Sequence, residues 1–178
     1  MSIPRLHKFL FFSTVWLFVG FSSAVAQINE AQVKASFLLN FIKLAEFSTS
    51  VRHRQEETGL ALCIGEGMDA KARDFFEALN GQSVGVRIVK VRNRYTKSCD
   101  IAFLPEDATE SERKDFFSAS SSKNCLSVVE TSEDFQKGGI IAFTEKERKV
   151  RFQVILSRIK ASDIRLSSQL LRLADIVE

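Results

Sequence analysis

Few side chains in this sequence are candidates for reactivity. They are three cysteines (Cys63, Cys99 and Cys125), a lone histidine away from the N-terminus (His53), and the run Gly65-Glu66-Gly67-Met68-Asp69-Ala70. Read literally, that run satisfies a dinucleotide fingerprint with Ala as its third small residue, bringing backbone amides to a pyrophosphate at a helix N-terminus. Glu66 and Asp69 would set negative charge beside that pyrophosphate. The next strand pattern ends in Val91-Arg92 rather than in an acid able to hold a ribose. Glycines of a tight turn are the better reading.

Catalytic triads fail by count. His53 lies in Arg52-His53-Arg54, where flanking cations disfavour its protonation. The carboxylate pairs Glu106-Asp107 and Glu145/Glu147 sit in polar segments, with nothing to desolvate them and raise a pKa for acid catalysis. Three scattered cysteines and one histidine do not supply the closely spaced ligands of a zinc site. No enzyme, cofactor or metal is expected. Arg87, Lys90, Arg92, Arg94 and Lys97 form a basic stretch with no intervening acid. It is either a docking face for an acidic partner or lipid headgroups, or a strand edge kept from aggregating by its charge; the second reading is favoured.

The chain has 178 residues, 45% hydrophobic and 26% charged, which suits one globular domain. Arg5 and Lys8, the mostly apolar Phe9 to Phe21, and Ala24-Val25-Ala26 before Gln27 have the three-part layout of a secretory signal peptide, cleaved after Ala26. The alternative is an uncleaved anchor, but the apolar core is shorter than the ~20 residues a span needs. Residues 1–26 are thus expected to be a leader and 27–178 an exported domain. Taking Arg5 and Lys8 from 25 basic residues leaves 23 against 22 acids. So nearly neutral a protein has no field to hold nucleic acid. Export also separates it from the cytoplasmic nucleotide pool.

Residues 29–47 show helical spacing, with Asn29 as N-cap, and 48–58 are polar and read as a surface loop. Strands are expected at 60–64, 84–91, 99–104 and 126–129. Helices are expected over 69–80, with Phe75, Phe76 and Leu79 inward, and over 109–120, with Phe116 and Phe117 inward. Residues 130–139 read as a turn-rich link. Ile140 to Thr144 and Val150 to Leu156 flank Glu145-Lys146-Glu147-Arg148 in a hairpin pattern, and Leu166, Leu170, Leu173 and Val177 suggest a last helix over 163–177. Alternating strands and helices imply a single-domain α/β fold: a mixed β-sheet flanked by helices, with a C-terminal β-hairpin and helix.

In an oxidising compartment the three cysteines allow one disulfide in any of three pairings, with one thiol left over. Strand direction favours Cys99 with Cys125, since both begin strands while Cys63 lies near the end of one.

Three segments carry a resemblance: Val33-Lys34-Ala35-Ser36-Phe37-Leu38-Leu39-Asn40-Phe41-Ile42-Lys43, Phe135-Gln136-Lys137-Gly138-Gly139-Ile140-Ile141, and Val150-Arg151-Phe152 running on to Arg165-Leu166-Ser167-Ser168-Gln169-Leu170-Leu171. In this order, with Cys63 and Cys99 between them, they resemble the YfiR family of periplasmic proteins over essentially all of the exported chain. Two departures are Phe47-Ser48, where the family has Trp-Pro, and Cys125, which has no recognised family partner. The resemblance implies a Cys63–Cys99 disulfide, against the strand-direction argument. A 36-residue separation would then contribute ~3–4 kcal/mol. It also implies a dimeric repressor that binds the periplasmic region of an inner-membrane diguanylate cyclase and is removed by an outer-membrane lipoprotein or a redox signal. Phe135, Glu147, Val154 and Gln169 are its implied partner-binding residues, although Phe135 and Val154 also suit a core. A periplasmic small-ligand receptor using the Gly65–Ala70 turn is the alternative function.

Overall fold

The computed structural model describes residues 30–178, apart from Gly67, Asp69 and the side chain of Lys71. The expected leader, its cleavage site and the Asn29 cap lie outside the described residues. In chain order the elements are α1 (Glu30–Leu44), β1 (Ala45–Phe47), α2 (Thr49–Thr58), β2 (Leu60–Ile64), α3 (Ala70–Leu79), β3 (Ser83–Val84), β4 (Arg87–Arg92) and β5 (Ile101–Leu104). There follow α4 (Glu110–Ser120), β6 (Leu126–Val129), α5 (Ser132–Lys137), β7 (Ile141–Lys146), β8 (Lys149–Ile155), α6 (Leu156–Ala161), β9 (Ile164–Leu166), α7 (Ser168–Leu171) and β10 (Asp175–Val177).

Eight strands form one mixed sheet in the order β10-β8-β7-β6-β5-β2-β4-β3, and β1 pairs with β9 in a separate two-stranded ribbon. Strands β4, β2, β5, β6 and β7 run parallel, while β3 and β8 are antiparallel to their neighbours β4 and β7. The fold class is the expected α/β one. The parallel strands β2, β5 and β6 are buried at every position, as strands covered on both faces must be.

One face carries most of the aromatic volume. Leu38, Phe41 and Ile42 of α1 pack there with Phe76, Phe143 and Phe152. Phe41 meets the Phe152 ring edge-on, with centroids 5.2 Å apart. The opposite face is smaller and holds all three cysteines with Phe116, Phe135 and Leu104. Opposite-face packing follows from chain direction: right-handed crossovers put α3, which leads from β2 to β4, on one side, and α4 and α5, which lead the other way across the sheet, on the other.

Several expectations are corrected. Residues 49–58 form the helix α2 rather than a loop, anchored by the buried Val51 and Gln55. A single apolar anchor leaves no periodic signal. Phe75 is 39% exposed while Phe76 is fully buried, because adjacent helical positions point about 100° apart. Residues 132–137 form α5, started by Thr131, whose hydroxyl accepts from the Asp134 N–H. The expected helix 163–177 is instead β9, the one-turn α7 and β10. Leu166 and Leu170 are buried as its pattern required, but Leu173 is half exposed. Ser167 caps only one turn, and Ile176-Val177 continues as a strand beside β8.

Candidate functional site

The ends of β2 and its connections hold most of the residues singled out above. Because β2 lies between β4 and β5, residues 93–100 must travel back across it to begin β5. Parallel strands are usually joined by a longer crossover containing a helix. Here the path has no helix, and several contacts pin it, among them the buried Asp100, which pairs with Arg54 and accepts the Ala61 N–H. Cys99 lies over β2 and closes a disulfide with Cys63, with Cα atoms 5.8 Å apart. Tyr95 donates its hydroxyl to the carbonyl of Phe103 at 2.6 Å, and burial drives its pKa well up. The strand-direction argument for Cys99 with Cys125 fails because β2 lies between β4 and β5, so the return of residues 93–100 across β2 lays Cys99 over Cys63. Cys125 is a free, buried thiol, pushed up to about 12 by that burial.

Gly65 ends β2 under this crossover. A Cβ there would stand 2.6 Å from the Tyr95 hydroxyl and 2.9 Å from Pro105, so close packing explains the glycine. Gly67 and Asp69 lie outside the described residues. The Glu66 amide, which a pyrophosphate would need, donates to Glu112 Oε1 at 2.7 Å. Burial pushes Glu112 up, but N–H groups of Thr109 and Glu66, the Thr109 hydroxyl and Arg73 outweigh it, and its pKa falls below the usual carboxylate range. An internal anion therefore occupies the place that the fingerprint reserves for a ligand.

The four implied partner-binding residues divide by exposure. Phe135 and Val154 are buried and have no surface to offer, Phe135 in the cysteine-side core and Val154 opposite Ile141 in the hairpin. Glu147 is exposed at the hairpin tip, where Glu147 and Arg148 have φ of 53° and 60°, the positive values that a two-residue turn requires. Gln169 is exposed on α7. Glu147 shares a shallow depression with Arg151 and the Arg172–Asp175 segment that follows α7. Beside it, β10 forms the edge of the sheet with Leu173 and Ile176 half exposed. Sequence reasoning missed this edge, since its apolar residues were assigned to a helix face.

The basic stretch does not act as a unit. Arg87 is half-buried and donates to the carbonyls of Ile42 in α1 and Ala45 in β1, with its guanidinium 5.8 Å from the Phe47 ring. Arg92 donates to Ser98. Lys90, Arg94 and Lys97 face solvent. Two buried carboxylates carried no sequence signal: Asp100 pairs with Arg54 and accepts the Ala61 N–H, and Asp134 pairs with Arg113. Among the described residues, no group of three or more His, Cys, Asp or Glu side chains could hold a metal ion. His53 is exposed and stands 3.3 Å from Glu56.

No curated protein matches the chain. A family model described as YfiR/HmsC-like matches residues 31–175, from the first turn of α1 to the first residue of β10.

Proposed function

The chain belongs to the YfiR/HmsC-like family, and on that premise we propose that it is a periplasmic regulatory binding protein that represses an inner-membrane diguanylate cyclase. The family match over residues 31–175 carries this reading. The repressor binds the periplasmic sensor region of the cyclase and holds the inactive conformation. Binding both conformations equally would shift nothing, so the contact must discriminate between them. An outer-membrane lipoprotein that competes for the repressor releases the cyclase, and the repressor acts as a dimer.

The C-terminal edge is the contact surface in this proposal. Glu147, Gln169, Leu173 and Ile176 are accessible there, and β10 offers unpaired backbone groups along a sheet edge. Phe135 and Val154 act from beneath, as packing that fixes the shape of α5 and the hairpin.

Deleting the gene is expected to raise cellular cyclic-di-GMP several-fold. The double variant Leu173→Asp/Ile176→Asp should do the same while the purified protein keeps its circular dichroism. Unchanged cyclic-di-GMP on deletion would refute repression. A rise on deletion with full repression by the folded double variant would move the contact elsewhere.

A further inference from the structure

Strand β4 is covered on one face only. Its side chains alternate: Val89 and Val91 turn toward the larger core, whereas Ile88, Lys90 and Arg92 are exposed on the opposite face. That is the cysteine face, since Arg92 stands beside Cys63 in register. Arg94 and Lys97 are exposed in the crossover that runs over the same face, and Arg92 donates to Ser98 of that crossover. Among the described residues, none of these four cations lies within ion-pair distance of a carboxylate. The single acid between positions 87 and 100 is Asp100, which is fully buried and paired with Arg54. Helix α2, which also touches β4, carries two arginines and two glutamates and adds no net charge.

Protection of an open edge does not explain these cations. The outer side of β4 is already paired: the N–H groups of Val89 and Val91 donate to the Gln82 carbonyl and to Asn80 Oδ1. The charges stand on a face of the sheet, where an edge-guarding role has no purpose. Apolar side chains project beside them. Val86, in the Gly85–Val86 turn that leads into β4, is 99% exposed, and Ile88 is 45% exposed. An apolar tip flanked by solvated cations matches an anionic bilayer, which takes the tip among its headgroups and the cations against its phosphates. An acidic protein would have to offer a shaped pocket for the tip as well as carboxylates for the cations; a bilayer supplies both without shape complementarity.

We propose that the Val86 tip and the cations Lys90, Arg92, Arg94 and Lys97 dock the protein peripherally on an anionic lipid bilayer. Six strand spacings, roughly 30 Å, separate β4 from β10, so docking leaves the C-terminal edge free. The inference goes beyond the repressor role and does not rest on it.

The test is sedimentation with vesicles, using protein freed of residues 1–26, whose apolar run would bind lipid by itself; the described core lies wholly within 30–178. At about 50 mM salt, partition onto phosphatidylethanolamine–phosphatidylglycerol vesicles should exceed that onto phosphatidylcholine vesicles at least about tenfold. Raising the salt to about 300 mM should remove most of the difference. Lys90→Gln/Arg94→Gln/Lys97→Gln should lower the partition at least about tenfold. Lys137→Gln/Lys149→Gln/Lys160→Gln, the same change of charge at exposed positions elsewhere, should lower it less than about threefold. Val86→Ser should lower it at least about threefold and leave the melting temperature unchanged, because that side chain lies in solvent. Equal partition onto the two kinds of vesicle, equal losses in the two triple variants, or full binding by Val86→Ser would each overturn the proposal. So would binding to poly-glutamate without binding to anionic vesicles, which would assign the patch to an acidic protein.

Discussion

Strands β2 and β4 are joined through the helix α3, whereas β4 and β5 are joined by residues 93–100, which contain no helix. Both connections cross between parallel strands, and they lie over opposite faces of the sheet. The first is held by non-covalent burial: Phe76 and Ala72 of α3 are sealed against the larger core. The second leaves Asn93, Arg94, Lys97 and Ser98 exposed and is held by a disulfide, a tyrosine hydroxyl and the buried Asp100 paired with Arg54. A covalent bond thus stands in for the apolar volume that a crossover helix would bring. The two connections should fail in different ways.

Phe76→Ala is expected to have the largest effect. Deleting a fully buried ring costs ~3–5 kcal/mol. Urea unfolding should show the midpoint falling as one transition, because α3 shares its core with α1 and the hairpin. A local loss of amide protection confined to 70–92 would break the comparison by making the helical connection the separable one.

Cys63→Ser/Cys99→Ser should come next, at ~3–4 kcal/mol for a closed separation of 36 residues. Hydrogen exchange should locate the extra opening at residues 93–100 while α1 and the hairpin keep their protection. The variant retains one thiol, Cys125, held up near 12 by burial and therefore almost wholly protonated at pH 8. Its alkylation should be negligible in the native state and complete on unfolding. Rapid native labelling would show that the crossover also shields the thiol.

Tyr95→Phe sharpens the contrast at the small end. Losing the hydroxyl bond to Phe103 should cost about 1 kcal/mol. That cost should double in effect on local exchange at 93–100 if the disulfide is also removed, whereas Phe76→Ala with Tyr95→Phe should simply add.

This division was only partly legible in the amino-acid order. The strands at 60–64, 101–104 and 126–129 announce themselves as short apolar runs, and the hairpin by its alternation around Glu147-Arg148. These are local signals. The position of β2 between β4 and β5 is a non-local fact, and it alone lays Cys99 over Cys63. No spacing of cysteines encodes it, which is why strand direction pointed to Cys125. At the C-terminus the leucine period at 166, 170 and 173 matches a helix by coincidence, because two of those leucines are buried from different elements. The polar helix α2 lacks a stripe and reads as a loop. Of the implied contact residues, the resemblance supplied the positions but not their depth.

The pairing of Cys63 with Cys99 has a consequence for the order of events as the polypeptide is made. Both sulfurs, and the strands β2, β4 and β5 that align them, lie within residues 60–104, a contiguous stretch. A chain emerging from its N-terminus first offers an oxidant these two thiols before the third exists outside the exit channel. By the time Cys125 arrives, its would-be partners are already joined, and β6 carries it into the interior as a spectator. Order of emergence then works in the same direction as the geometry that brings the two sulfurs together.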